Sequence, residues 1–503
     1  MKNNKTLTDH RLSQIKKNKL KKIILCHGTF DLLHIGHIQY FEQAKKIGDI
    51  LIVSLTSDNY VNKGSGRPFF KISDRLLAIA SLEIVDFVTV SNAETSVDII
   101  KKIKPDIYFK GSDYKDFKKD FTGGIKKEIT EVKKYGGKVE FGNTEMHSSS
   151  KIINKISNMS KEKKNIINKI KKKYTFKFIK DQILLNSKKI KILVLGEMII
   201  DHLIFCSALG KSGKEAILNL DKKYEKKIVG GVGAIANHLS AFTANVKILT
   251  YLGDYDIDLS FIKKNIKKNV KIEYISKKNS PTIKKTKIVD IFNNAKILGL
   301  YNFNESEIEK KQQASFFNKI KKNFLKYDLV IISDYGHGLI TSKTAKFLAN
   351  QKKITINTQL NAANIGYHTI GKYNNAHCVV INEAELRHEL KDRYSKRHIL
   401  MKKLSEYLNI KILVVTAGKS GAYAFSNNKY FFCPAFADEV VDKIGSGDTF
   451  MAFFSLAIKI FSGDIELSLF LASLATTQVL QGYANEKNID LVKMLKSINT
   501  ILK

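Results

Sequence analysis

The chain has 503 residues, enough for two or three domains, and 44% of them are apolar, as in ordinary globular protein. Its formal charge is +37, yet only six of its 85 basic residues are arginines (Arg11, Arg67, Arg75, Arg387, Arg393 and Arg397). Specific nucleic-acid readers lean on guanidinium forks, so a lysine excess spread over every segment argues against that class and fits an AT-rich genome.

Three further absences narrow the field. No run of about 18 apolar residues appears, so no membrane span is expected. Residues 1–22 are polar and basic and lack the apolar stretch of a signal peptide. Cys26, Cys206, Cys378 and Cys433 lie far apart without metal spacing and read as reduced thiols of a cytoplasmic chain.

A basic tail, 1–19, precedes an apolar run at 23–26 that predicts a buried parallel strand. Gly28, Thr29 and Phe30 follow, and then a helical pattern with Leu33, Ile38, Phe41 and Ala44 on one face. His34 and His37 thus fall at the mouth of a helix, where free N–H groups favour a phosphate. Both could donate to one phosphoryl group and stabilise charge developing on it. A metal pair is the rival reading, with His27 as the one nearby third ligand.

Strands are predicted at 50–55, 87–90, 107–110 and 138–141, with helices at 73–82 and 96–103 between them. Ser73 and Asp74 are candidate caps of the first of these helices. Such alternation predicts a parallel doubly wound sheet with ligands at the carboxyl ends of its strands. Lys63 and Arg67, in a basic loop after the second strand, could reach triphosphate oxygens. Ser148, Ser149 and Ser150 precede a helical run, where hydroxyls and N–H groups would bind β- and γ-phosphates.

The stretch GTFDLLHIGH resembles the signature of the cytidylyltransferase-like nucleotidyltransferases, which join a nucleotide to a phosphorylated alcohol or sugar. The stretch 105–114, with Lys110, Gly111 and Asp113, resembles the PDxxxKGxDY segment in the adenylyltransferase half of bifunctional heptose-phosphate enzymes. Class I aminoacyl-tRNA synthetases share a HIGH tetrapeptide, and Met159-Ser160-Lys161 faintly echoes their second motif. The serine cluster directly after the last strand already supplies a second phosphate motif, which disfavours that alternative. This first domain is placed at 20–160.

A lysine-rich stretch, 161–187, is expected to be a helical linker. From 188 to 503 the strand pattern restarts at 192–197, followed by Asp201 and by Gly230-Gly231 opening a helix that carries Asn237. Loosely alternating residues 216–228, and the pair 283–290 and 295–301 around Asn293-Asn294, predict the strands of a lid. Strand-ending loops follow at 329–336, 379–385 and 412–421. Then Gly445-Ser446-Gly447-Asp448 opens a helix of small residues, where successive N–H groups form an anion hole. An Asp in that turn can take the proton of an attacking hydroxyl.

This ordered set resembles the ribokinase-like sugar kinases. The resemblance implies that Asp448 is the catalytic base and that Gly445, Ser446 and Gly447 form the anion hole. It implies sugar contacts at Asp201, Gly230, Gly231 and Asn237. Asn382 and Glu385 would organise magnesium and phosphate, Glu385 indirectly, and Thr416, Gly418 and Gly421 would lie near ATP. Ser446 stands where that family usually has Ala, and the kinase-first order of the familiar bifunctional heptose enzymes is reversed.

The expected fold is thus two doubly wound α/β domains, a Rossmann-like nucleotidyltransferase followed by a ribokinase-like kinase with a small β lid. The expected activity is phosphorylation of a sugar by MgATP and transfer of a nucleotide to the sugar 1-phosphate, with ADP-heptose as the product the resemblance implies. A CDP-activated polyol made from CTP, another sugar nucleotide, or one degenerate, ligand-binding half are the alternatives. The expected partners are small sugar phosphates and nucleotides, without nucleic acid or membrane. A homo-oligomer is left open.

Overall fold

The computed structural model of the chain describes residues 5–17, 20–61, 67–114, 124–143, 159–437 and 440–502. The chain divides into two units, Met1–Met159 with Leu495–Lys503, and Ser160–Met494. The last turns of the terminal helix Leu491–Ile501, which bury Leu495 and Ile498, therefore group with the first unit and not with the second. No helix among the described residues is long and apolar enough to cross a membrane.

In the first unit the described strands are β1 (Ile23–Gly28), β2 (Ile50–Thr56), β3 (Phe87–Ser91), β4 (Ile107–Lys110) and β5 (Lys138–Phe141). All pair in parallel, in the order β3-β2-β1-β4-β5. Successive side chains of a strand point to opposite faces, so apolar strands need cover on both sides. Ile24, Cys26, Leu51 and Val53 pack with Phe41 and Ile79 from the helices Ile35–Lys45 and Ile72–Ala80. Ile23, Leu25, Ile50 and Ile52 pack with Ile99, Ile100 and Val132 from the helices Val97–Ile103 and Gly124–Lys134.

Ser73 and Asp74 do not cap the helix Ile72–Ala80. It starts one residue earlier, and the carboxylate of Asp58 accepts from Ile72 N at 3.2 Å, while the Ser73 hydroxyl donates to Asp74. The cap comes from the loop after β2, fourteen residues upstream in the chain, which local spacing does not reveal.

In the second unit, the stretch 161–187 holds two helices, Lys161–Lys173 and Phe176–Asn186. Ile166, Ile167, Ile170, Ile179 and Ile183 are buried, Lys169 and Lys173 pair with Glu466, and the Tyr174 hydroxyl donates to Asp464. The helices are therefore packed into this unit and are not a free connector. Their few apolar residues recur every three or four positions, on one face.

The strands that follow are β6 (Ile192–Gly196), β7 (Met198–Lys211), β8 (Leu218–Gly231), β9 (Val246–Tyr255), β10 (Val270–Pro281), β11 (Ile283–Asp290), β12 (Lys296–Asn302), β13 (Leu329–Asp334), β14 (Ile354–Thr358), β15 (Cys378–Asn382), β16 (Ile412–Thr416), β17 (Ala422–Ser426) and β18 (Lys429–Cys433). The main sheet runs β10-β9-β6-β13-β14-β15-β16-β17-β18, parallel through β16 and antiparallel at β17 and β18. Its order reverses at β6: the chain moves outward through β9 and β10, then returns to β13 on the other side. A separate sheet, β12-β11-β7-β8, is the lid. Its strand β7 was not legible as such in the sequence, because its alternation starts one residue after β6 ends. Both units are α/β with parallel sheets, the expected class.

The packed linker helices yield a stability prediction. Ile170 is fully buried, so Ile170→Ala should cost about 2–4 kcal/mol. The measurement is a urea titration of the full chain. An unchanged midpoint would show that the helices contribute nothing to the second unit.

Candidate active sites

In the first unit the sheet order reverses between β1 and β4, and their carboxyl ends bound the crevice where α/β sheets take ligands. His34 is the N-cap position of the helix Ile35–Lys45, and His37 lies in its first turn. The two rings stack with centroids 3.8 Å apart, so both reach the helix mouth together.

Phe30, expected to contact the nucleotide, is a packing residue instead. It is buried, has φ +46°, and meets His37 edge-on at 5.2 Å and Phe41 at 5.1 Å. Its ring folds back over Gly28, where an added Cβ would lie 3.0 Å from Phe30 Cζ. His27 is turned to the hydroxyls of Ser54 and Thr56, at 3.1 and 3.4 Å. Burial, then Lys110, pushes its pKa down to about 4, so the imidazole is neutral and engaged with neighbours other than a metal.

The loops around this mouth are tied by charges. Arg67 Nη1 donates to Asp31 Oδ2 at 3.1 Å, and Asp31 Oδ1 accepts from the N–H groups of Phe69 and Phe70. Arg75, buried in the helix Ile72–Ala80, donates to the carbonyls of Thr29, Thr56 and Phe70 and to Asp58. Asp31 lies in the stretch GTFDLLHIGH but is assigned no role of its own there, and Arg75 is not singled out. A lone Arg inside an amphipathic helix was the only signal for the second.

Lys110, expected to bind phosphate, faces inward. Its Nζ lies 3.0 Å from Glu128 Oε2 and 4.5 Å from the centroid of the Tyr114 ring. Burial opposes its charge, but Tyr108 and Glu128 outweigh it and the Lys110 pKa is raised. Burial likewise opposes the Glu128 carboxylate, and Lys110 and Ser96 outweigh it and lower its pKa. Gly111 follows, with open space where a Cβ would stand. Asp113 lies in the short turn Ser112–Tyr114. Lys63, Ser148, Ser149 and Ser150 lie outside the described residues.

The second site gathers at the carboxyl ends of β6, β13, β15 and β16. Asp448 lies in the first turn of the helix Ser446–Ile460, half-buried, with Tyr335 Oη donating to its Oδ1 at 2.8 Å. Burial pushes its pKa up to about 7, Asp201 adds to the rise, and Tyr335 and Lys285 oppose it. A carboxylate poised near neutrality is the state a general base needs. Gly445 precedes it at φ +80°, and an added Cβ there would lie 2.1 Å from Asn485 Oδ1. Gly447 meets only open space, whereas the Ser446 hydroxyl turns away to the Lys443 carbonyl at 2.7 Å.

Asp201 is buried on the lid strand β7, opposite Lys285 of β11, with Lys287 Nζ 3.9 Å away. Its carboxylate lies over Gly230, where an added Cβ would come within 2.5 Å of Oδ2, and Gly231 takes φ +55° beside the Glu197 carbonyl. Burial raises the Asp201 pKa against the pull of Lys287 and Lys285.

Asn237 is not part of this group. Its amide donates to the Asn265 carbonyl and accepts from Lys267 N, both at 3.0 Å, so it ties its helix to the next loop. The missed residues are Glu197, Lys285, Lys287 and Tyr335. Lys285 and Lys287 alternate on one face of β11, a signal that the lysine-rich composition hid.

Asn382 and Glu385 do meet, as a capping box: Glu385 Oε2 accepts from Asn382 N at 2.7 Å and Asn382 Oδ1 from Glu385 N at 2.9 Å. Burial pushes the Glu385 pKa up to about 7. Such a pair cannot cage a metal by itself. Its spare lone pairs fit a magnesium ion that keeps its waters and is held by substrate phosphates. Thr416 ends β16, and Gly418 (φ +55°) and Gly421 (φ +88°) frame the turn beyond it.

Comparison with known proteins fits this division. The cytidylyltransferase-like family matches residues 25–155, and the pfkB family of carbohydrate kinases matches residues 189–488, in the order read from the sequence. A relative from Campylobacter fetus named bifunctional protein HldE is 42% identical over 138 residues, 27% of this chain and 28% of its own length. One of the same name from Helicobacter pylori strain G27 is 41% identical over 156 residues, 30% and 31% of the two chains. The chain thus spans under a third of the length of these curated relatives. Among solved structures, a ribokinase from Thermotoga maritima aligns with a TM-score of 0.49 at 15% identity, over 61% of this chain and 99% of that one.

The inward-facing Lys110 predicts a stability effect. Lys110→Met leaves the Glu128 carboxylate buried without its cation and should destabilise the first unit by about 3–5 kcal/mol at pH 7. Because the folded pKa of Glu128 is lowered, the stability it contributes is complete above the unfolded value and is lost as pH falls through the folded one. The gap between wild type and variant should therefore narrow in acid. Chemical denaturation at pH 7 and pH 3 checks this, and a gap equal at both would refute it.

Proposed function

This chain belongs to the pfkB family of carbohydrate kinases, and on that premise we propose that it is a bifunctional enzyme of sugar-nucleotide biosynthesis. The kinase half uses ATP to phosphorylate a sugar that already carries a phosphate. The cytidylyltransferase-like half then joins the new sugar 1-phosphate to a nucleotide and releases pyrophosphate. Heptose 7-phosphate and ADP-heptose are the substrate and product we assign. The bifunctional heptose-phosphate enzymes that the motifs resemble support this, as does the name bifunctional protein borne by both relatives. Such an enzyme works in the cytoplasm, where its nucleotides are.

The observation that carries the reading is the charge around Asp201. Lys285 and Lys287 project from the lid beside one buried carboxylate, and burial lowers the pKa of both. Burial disfavours both ammonium groups even though Asp201, Asp442 and Asp448 act on them, and an anionic substrate would favour their charged forms where a phosphate-free sugar would not.

In the kinase reaction Asp201 holds a sugar hydroxyl and Asp448 takes the proton from the attacking one. The N–H groups at Gly445–Gly447 receive the transferring phosphoryl group, and the turn at Thr416–Gly421 lies along ATP. Magnesium would enter with the nucleotide and offset phosphate charge, with Asn382 and Glu385 holding it through water. In the nucleotidyl transfer, His34 and His37 donate to the attacked α-phosphate as charge builds on it.

Two experiments test these assignments. Asp448→Asn should cut sugar phosphorylation about 10²–10⁴-fold and spare nucleotidyl transfer to a supplied sugar 1-phosphate. His34→Ala or His37→Ala should do the reverse, by about 10²–10³-fold. Equal loss of both activities in a folded variant would refute separate sites.

The second experiment compares heptose 7-phosphate with unphosphorylated heptose. Lys285→Met and Lys287→Met should each raise KM for the phosphorylated sugar about tenfold or more and leave KM for ATP unchanged, since a charge-assisted contact is worth about 1.5–3 kcal/mol. A wild-type enzyme that accepts both sugars equally would remove the phosphate from the assignment.

A further inference from the structure

Tyr335 follows β13 directly, is 2% exposed, and donates its hydroxyl to Asp448 Oδ1 at 2.8 Å. A buried phenol requires a partner, and a carboxylate is the strongest neutral-pH acceptor. The backbone around it is tied at four polar groups. Glu197, fully buried just past β6, accepts from Tyr335 N at 3.0 Å through Oε2 and from His337 N at 3.2 Å through Oε1. Asp334 Oδ1 accepts from the intervening Gly336 N at 3.2 Å. The Tyr335 carbonyl accepts from Asn361 Nδ2 at 3.0 Å and Asn364 Nδ2 at 2.9 Å. Gly336 takes φ +74°, with Asn364 Nδ2 2.6 Å from where a Cβ would stand. A turn at the end of a strand needs far less than this to stay in place. The ties converge on the direction in which one side chain leaves the loop.

We infer that Tyr335 is a positioning residue for phosphoryl transfer: its hydroxyl occupies Oδ1 of Asp448 and leaves Oδ2 for the attacking hydroxyl, while Glu197 holds the loop that sets its reach. The inference rests on Asp448 being the base of the proposed kinase reaction. In that step the substrate O–H proton passes to Oδ2 of Asp448, the substrate oxygen forms a bond to the γ-phosphorus, and the bond from phosphorus to ADP breaks. Tyr335 keeps its own proton throughout, since burial and Asp448 raise its pKa well above the ordinary value. The groups that act on Asp448 are Tyr335 itself, Asp201 on β7, Lys285 on β11 and Glu385 on the helix Glu383–Glu389. Tyr335 and Lys285 favour the ionised form; Asp201 and Glu385 oppose it.

The test is kcat/KM against pH for phosphorylation of heptose 7-phosphate by MgATP, using the full chain. Asp448 must be ionised to act, so activity falls as pH drops through its pKa. Tyr335→Phe removes a bond made to the ionised form, so that pKa rises and the acid limb should move up by about one pH unit. KM for the sugar should change little, and the rate lost at pH 7 should return above the displaced limb.

Glu197→Gln is the second variant. Its amide can accept only one of the two N–H bonds, so the limb should move in the same direction. Nucleotidyl transfer by the same preparations, and their melting temperatures, report that the chain is folded. An acid limb that stays in place in a folded Tyr335→Phe or Glu197→Gln enzyme overturns the inference, as does a loss equal at all pH values. An Asp448→Asn enzyme that keeps phosphorylating the sugar overturns the base assignment instead, a separate outcome.

Discussion

Three consecutive backbone N–H groups, those of Tyr335, Gly336 and His337, end on two buried carboxylates, and the geometry of the second site hangs on that arrangement. Glu197 and Asp334 stand at the ends of adjacent strands, β6 and β13, where the sheet order reverses. Two carboxylates at that depth repel each other. Burial, then Asp334, pushes the Glu197 pKa up to about 7. Burial opposes the charge of Asp334 too, but Lys372 and His368 outweigh it and lower its pKa. The pair therefore divides the work: one acid is charged and paired with a lysine, and the other is held by backbone dipoles.

From that pair the constraint runs outward. The loop it grips carries Tyr335, Tyr335 holds Asp448, and Asp448 lies in the first turn of the helix Ser446–Ile460. The lid enters from the other side, with Asp201, Lys285 and Lys287. It is also tied to the anion-hole loop, since Lys296 of β12 donates to Asp442 Oδ1 at 2.6 Å, and Asp442 accepts in turn from the N–H groups of Ile444 and Ala484. The lid and the loop that leads into the helix Ser446–Ile460 are thus joined by a charged contact close to the Gly445 turn.

The first unit solves a similar problem with other parts. Its histidine pair sits on a helix whose entry is shaped by Phe30, while Arg75 draws the carbonyls of Thr29, Thr56 and Phe70 toward one buried guanidinium. Arg suits this task because its planar fork reaches several acceptors at once. The basic residues Lys110 and Arg75 face inward and hold architecture, and His34 and His37 stand at the helix mouth.

Much of both folds was legible in the chain itself. Apolar runs such as 23–26, 50–55 and 107–110 read as buried parallel strands and are strands, and the helix starts near 34–37 and 445–448 fall where the sequence places them. The pairings of side chains were not legible. Lys110 meets Glu128 eighteen residues on, Tyr335 meets Asp448 across more than a hundred, and Lys285 meets Asp201 across two lid strands. Composition even concealed the last, since one lysine looks like any other among so many. Local chemistry is written in the order of residues, so motifs and strand patterns follow from sequence. Which buried charge faces which is decided only when strand order brings distant residues to one edge of a sheet, and there the energy of an unpaired buried group selects the partner.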